Sequence, residues 1–210
     1  MGSFHTSVLE AIKTWVNTAE VLIRQFAPPY PQRAKMDVLS RYAPAGIDWV
    51  ETGTFRGTTT EFLSRFGKSV SSLEPSTHFY RKAVERFTDN PAVMLYNASS
   101  EDGFEGVVAG LTGRVGFWLD GHYSGGATFQ GNSECPVLTE LEVIAKYVEN
   151  FDDFYCFIDD LRCFSPFERD NYPDYPDIQV IVDWANKMGC KYFFDRDIIV
   201  IVRAKDAGRG

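Results

Sequence analysis

Apolar and polar positions along the chain follow two periods. Over residues 7–26, SVLEAIKTWVNTAEVLIRQF, apolar side chains fall at Val8, Leu9, Ile12, Trp15, Val16 and Ala19, with Val21, Leu22 and Ile23 after them. Spacings of three and four leave one wet face and predict an amphipathic helix. The proline-rich APPYPQ ends it, because proline lacks the N–H a helix needs. A short helical stretch near 34–42 leads into the main body. From Ile47 onward the pattern is regular. IDWVET, SVSSLEP, AVMLYNAS, RVGFWLDG and FYCFIDDL read as short buried strands. Between and after them, TTTEFLSRF, STHFYRKAVERF, EDGFEGVVAGL, ECPVLTELEVIAKYVEN and PDIQVIVDWANKMG read as helices. KYFFDR and DIIVIVRA then follow almost directly on one another, with no room for a helix, so they predict a hairpin whose last strand runs antiparallel. Strands alternating with helices mean an α/β fold: a mostly parallel sheet with helices on both faces. There is no internal repeat or low-complexity tract. The expected organisation is an N-terminal helical extension over 1–44 and one α/β domain over 45–210.

The turn at the end of the first strand, Glu51-Thr52-Gly53-Thr54-Phe55-Arg56-Gly57, is the first candidate site. In an open α/β sheet, ligands sit at the carboxyl ends of the strands, near the point where strand order reverses. Gly53 and Gly57 allow backbone to approach a ligand closely, and the following helix points free N–H groups at the same space. A P-loop is excluded, since Gly57 is followed by Thr58 rather than Lys. The GxxxG spacing departs from the GxGxxG of dinucleotide folds. TGTFRGTT comes within one residue of the TGxxxGxG of short-chain dehydrogenases, but no tyrosine has a lysine four residues on.

Five βα units, a closing hairpin and the acidic-x-Gly-x-x-x-Gly turn ETGTFRG together resemble the class I S-adenosylmethionine-dependent methyltransferases over about residues 45–205. That resemblance implies a Rossmann-like seven-stranded sheet with one reversed strand and S-adenosyl-L-methionine as cofactor. It places Glu51 near the amino end of the methionine portion, with Gly53 lining it and Thr54, Gly57 and Asp120 also in contact. Glu74, at the end of the second strand, would accept the ribose hydroxyls, and Ser99 and Ser100, after the third, would meet the adenine.

The fourth strand ends Leu119-Asp120-Gly121-His122, and the fifth ends Ile158-Asp159-Asp160. Three carboxylates held together with no counter-charge would repel and raise one another's pKa. A hard divalent cation removes that cost, and all-oxygen ligation suits Mg²⁺, Mn²⁺ or Ca²⁺. The arrangement is similar to the metal-dependent O-methyltransferases of the catechol, macrolide-sugar and aminocoumarin-sugar type. The resemblance implies Asp120, Asp159 and Asp160 as ligands of Mg²⁺ or another divalent cation, which would orient a substrate hydroxyl. His122 is the expected general base, with metal ligation or a hydrogen-bonding role as its alternatives; its imidazole titrates near neutrality. The expected function is methylation of a hydroxyl on a small molecule such as a sugar or phenol. Transfer to nitrogen or carbon, and a methyltransferase-like module that binds without turnover, are the alternatives.

Two loops bear on the acceptor. GHYSGGATFQGNSE carries four glycines and reads either as a lid or as a plain connection. LRCFSPFERDNYPDYPD is long and aromatic, and its Phe164, Phe167, Tyr172 and Tyr175 either line an acceptor pocket or pack the loop down. Composition narrows the partners. With 44% apolar and 24% charged residues the chain is globular. A net charge of −8 argues against nucleic acid or an anionic membrane as partner, since both need basic surfaces. Four cysteines, with no CxxC pair, read as free thiols of a cytoplasmic protein. The N-terminal helix either caps the cofactor pocket or joins two copies into a homo-oligomer.

Overall fold

The computed structural model describes residues 28–121 and 135–204. Seven strands, β1 (Asp48–Thr52), β2 (Ser69–Leu73), β3 (Val93–Tyr96), β4 (Gly113–Leu119), β5 (Phe151–Ile158), β6 (Lys191–Asp195) and β7 (Ile198–Ala204), form one sheet. Their order is β3-β2-β1-β4-β5-β7-β6. Every pairing from β3 across to β5 is parallel. β7 runs antiparallel to both β5 and β6. The reversal has a local cause. Asp195 pairs with Ile198, so the turn between β6 and β7 is too short for a crossover, and Arg196 takes a left-handed φ of 57° in it. The predicted sheet, with one reversed strand, is therefore the one observed.

Helices α1 (Gln32–Tyr42), α2 (Thr58–Phe66), α3 (Thr77–Arg86), α4 (Glu105–Val108), α5 (Val137–Tyr147) and α6 (Ile178–Lys187) surround the sheet. Two differ from the sequence pattern. EDGFEGVVAGL splits into a π-helical turn, Ser100–Phe104, and the single turn of α4. Ser99 caps the segment, its Oγ accepting the Asp102 N–H. α5 stops at Tyr147 and passes through a 3₁₀ turn, Val148–Asn150, into β5. α6 starts cleanly, because Asp177 accepts the Gln179 N–H at 2.9 Å.

Side chains that alternate along the strands feed two cores, one on each face. Val50, Phe117, Ile199 and Ile201 join Phe104, Leu141 and Ile181 on the face covered by α4, α5 and α6. Trp49, Trp118, Ile198 and Val200 join Val38, Leu39 and Leu63 on the face covered by α1 and α2. Each such side chain contributes roughly 1.5–3 kcal/mol on burial. Cys135, Cys156, Cys163 and Cys190 are buried and form no disulfide with one another. No described helix is long and apolar enough to cross a membrane.

Candidate cofactor and acceptor site

Strand order reverses between β1 and β4, which opens a crevice at their carboxyl ends. Backbone bonds fix the row of residues there. Glu74 N–H donates to the Tyr96 carbonyl at 2.9 Å and Gly53 N–H to that of Leu73 at 3.0 Å. Asp120 N–H donates to Thr52 at 3.2 Å and Asp159 N–H to Leu119 at 3.1 Å. Glu74, Gly53, Asp120 and Asp159 therefore stand side by side on one edge. Gly53 has φ 86°, and a Cβ there would lie 2.4 Å from the Asp120 carbonyl oxygen. Gly57 has φ 73°, caps α2, and a Cβ there would lie 2.7 Å from the Phe87 ring. Both positions need glycine for conformation and for space.

Glu51 is fully buried. Its Oε2 accepts from Thr60 Oγ1 at 2.5 Å and Ser72 Oγ at 2.6 Å, while Oε1 has no partner. Ser72 spends its proton on Glu51, so Thr54 Oγ1, 2.6 Å away, is the donor in the Thr54–Ser72 bond. Thr54, expected to touch cofactor, thus uses its buried hydroxyl to orient Glu51. Burial pushes the Glu51 carboxyl up to about 7; the two hydroxyl donors oppose the rise and the charge of Glu74 adds to it. A buried carboxylate oxygen with no donor fits a cationic ligand group.

Glu74 accepts backbone N–H groups of Phe55 at 2.7 Å and Ser76 at 2.8 Å, one on each oxygen. Burial raises its pKa against those two bonds. Each oxygen keeps a lone pair for a further donor. Phe55 has a left-handed φ of 46°, an uncommon conformation for a bulky residue, and its ring packs tilted against Phe79, centroid to centroid 4.6 Å. His78 makes an edge contact with Phe79. Ser99 and Ser100 are turned to other work. Ser99 Oγ bonds Asp102 at 2.9 Å, and Ser100 Oγ donates to Glu140 Oε1 at 2.6 Å. Glu140 is buried on α5 and pushed up to about 7 by that burial, with bonds from Ser100 and Thr52 opposing. Its signal in the sequence was a carboxylate on the apolar stripe of Val137, Leu141 and Ile144.

The metal expectation needs correction. Among the described residues no three acidic, histidine or cysteine side chains are placed to hold a metal ion. The premise of uncompensated carboxylates fails, because the chain brings its own cations. Lys35 Nζ, from α1, donates to Asp159 Oδ2, with Asp159 fully buried and Lys35 nearly so. Burial alone would lower the Lys35 pKa, but Asp159, Asp120 and Asp160 together outweigh it and hold the ammonium above its ordinary value. Arg162 pairs with Asp160 at 2.8 Å and also with Asp197 from the β6–β7 turn. Asp120 is raised by burial and then by Asp159, against the pull of Lys35. A divalent ion about 4 Å from an ammonium is repelled by roughly 8 kcal/mol at an effective dielectric near 20. Asp120, Asp159 and Asp160 are near enough to act on one another's charge, with Lys35 and Arg162 paired to two of them. Lys35 was missed because it lies 124 positions from Asp159, outside the strand–helix units. His122 lies outside the described residues, as do the N-terminal helix and most of the glycine-rich loop. In the second loop, Phe164 and Tyr175 are buried edge to face at 5.2 Å, so they pack it down, whereas Phe167 is 93% exposed.

No family model matches the chain, and no curated protein does. Solved structures do. A methyltransferase from Geobacter sulfurreducens superposes with TM-score 0.54 at 12% identity, over 98% of both chains. Aeropyrum pernix fibrillarin, with natively bound S-adenosyl-L-methionine, gives 0.51 at 13% identity over 81% of this chain and 72% of its own. A Streptococcus mutans protein in complex with SAH gives 0.50 at 15% identity over 83% and 97%. The fold is that of the class I methyltransferases. At such identities the likeness concerns fold, and the chemistry rests on the residues.

Proposed function

We propose that this chain is an S-adenosylmethionine-dependent methyltransferase acting on a hydroxyl of a small molecule. The observation that carries the reading is Glu51, whose buried Oε1 lacks a donor at the crevice where strand order reverses. An amino acid ammonium satisfies it with a charge-assisted bond. Gly53 lets the turn lie close to that group. Glu74, one strand over, has lone pairs left for a vicinal diol, and Phe55 with Phe79 offers an aromatic wall beside it. When bound, the sulfonium supplies an electrophilic methyl carbon.

Asp120 and the Asp159–Lys35 pair border the acceptor side. Asp120, its pKa raised by burial and then by Asp159, hydrogen-bonds the incoming hydroxyl and holds its oxygen toward the methyl group. His122, two residues on, takes the proton. No step is assigned to a divalent ion, since Lys35 and Arg162 already neutralise the carboxylates named for one. The net charge of −8 favours neutral or cationic acceptors over polyanions. A nitrogen acceptor is the second reading, because this corner already accommodates an ammonium.

Calorimetric titration with S-adenosylhomocysteine tests the cofactor site. One saturable site supports the reading, and absence of binding refutes it. Transfer of labelled methyl from S-adenosylmethionine to sugars, phenols and amines then separates the oxygen and nitrogen acceptors.

A further inference from the structure

The acidic corner formed by Asp120, Asp159 and Asp160 has the composition of a divalent-cation site, yet a lysine stands in it. Lys35 arrives on α1, which packs against α2 and β7. Its ammonium sits on Asp159 Oδ2 and 5.9 Å from the centroid of the Trp118 ring. Val38 and Leu39, on the same helix, are fully buried in the core around Trp118, so the helix cannot withdraw the lysine without opening that core. The second Asp159 oxygen, Oδ1, is buried and has no hydrogen-bond partner. Asp159 therefore has one cation of the protein's own on Oδ2 and a spare acceptor atom in Oδ1.

We propose that the Lys35 ammonium is the resident cation of this corner, a positioning residue that holds the Asp159 and Asp120 carboxylates in place and bars a divalent ion from them. Size and charge both enforce the exclusion. Carboxylate oxygens bind Mg²⁺ or Mn²⁺ at about 2.0–2.2 Å, inside the space the ammonium fills. A second cation there meets like charge in a setting with little water to screen it. Asp160 cannot swing in freely, because Arg162 ties it toward Asp197. Removing the lysine charge leaves a fully buried carboxylate with both oxygens open to a cation.

The test is Mn²⁺ binding followed by electron paramagnetic resonance, which needs neither cofactor nor turnover and so stands apart from the methyltransferase reading. The wild-type protein is expected to show no Mn²⁺ site that depends on Asp159. Lys35→Met and Lys35→Gln are expected to gain one site, at least about tenfold tighter than any site of the wild type. Adding Asp159→Asn to either variant should remove it, and Lys35→Arg should keep the corner closed. Stoichiometric Mn²⁺ binding by the wild type that Asp159→Asn abolishes would overturn the proposal, whatever the folding of the lysine variants. So would folded Lys35→Met and Lys35→Gln proteins that gain no site.

Discussion

Replacing Glu51 by Gln isolates the charge of a carboxylate whose buried Oε1 is left without a donor. Glutamine keeps an oxygen to accept from Thr60 and Ser72, so the hydroxyl network survives. The folded-state pKa of Glu51 is raised from 4.5 to about 7, with burial the main cause. In the window between those values the folded protein holds a proton that the unfolded chain has lost. Stability then falls as pH rises, and the slope ends once the folded carboxyl has ionised. At roughly 1.4 kcal/mol per pH unit, Glu51 withdraws about 3 kcal/mol between pH 4.5 and 8. The Gln variant lacks this slope. Urea unfolding at a series of pH values should show the stability difference, variant minus wild type, rising by about 3 kcal/mol over that range. Any constant cost of the new amide cancels in the difference. The same variant should bind S-adenosylhomocysteine about 10–100-fold more weakly at pH 8, the scale of one charge-assisted bond. A stability difference that is flat with pH would refute the buried, ionisable state assigned to Glu51. A flat difference in affinity would remove Glu51 from the ligand.

Other perturbations have equally definite outcomes. Gly53→Ala puts a Cβ 2.4 Å from the Asp120 carbonyl at φ 86° and should cost about 3 kcal/mol of stability, with SAH binding lost in calorimetry. Glu74→Ala frees the Phe55 and Ser76 amides and should weaken SAH binding by about 1–3 kcal/mol; unchanged affinity would take Glu74 away from the ribose. Phe117→Ala empties a fully buried site between Phe104, Phe151 and Phe154 and should lower unfolding stability by about 4 kcal/mol.

Much of the local structure was legible in the chain because its causes are local. The alternation of Trp49 with Val50, or Phe117 with Trp118, is set by the two-residue pleat, and the apolar stripes of α5 and α6 by the helical turn. The reversed last strand followed from the short link between Asp195 and Ile198. Glu51, Gly53, Glu74, Asp120 and Asp159 were readable as strand-end residues, since position after a strand fixes which edge of a parallel sheet a residue occupies. Their partners were not readable in the same way. Thr54 turned inward to Ser72, Ser100 was taken by Glu140, and Phe55 adopted a left-handed backbone that no glycine announced.

What the amino-acid order determined by itself was the succession of strands and helices, the hairpin and the row of acids on one edge, because each depends on residues a few positions apart. Only the tertiary structure decided how those acids are neutralised. Lys35 reaches Asp159 across 124 positions, and Arg162 reaches Asp197 across 35, through the packing of α1 on the sheet and of the β6–β7 turn under β5. Charge compensation in a buried corner depends on which surfaces meet there, and no periodicity in the chain records that meeting.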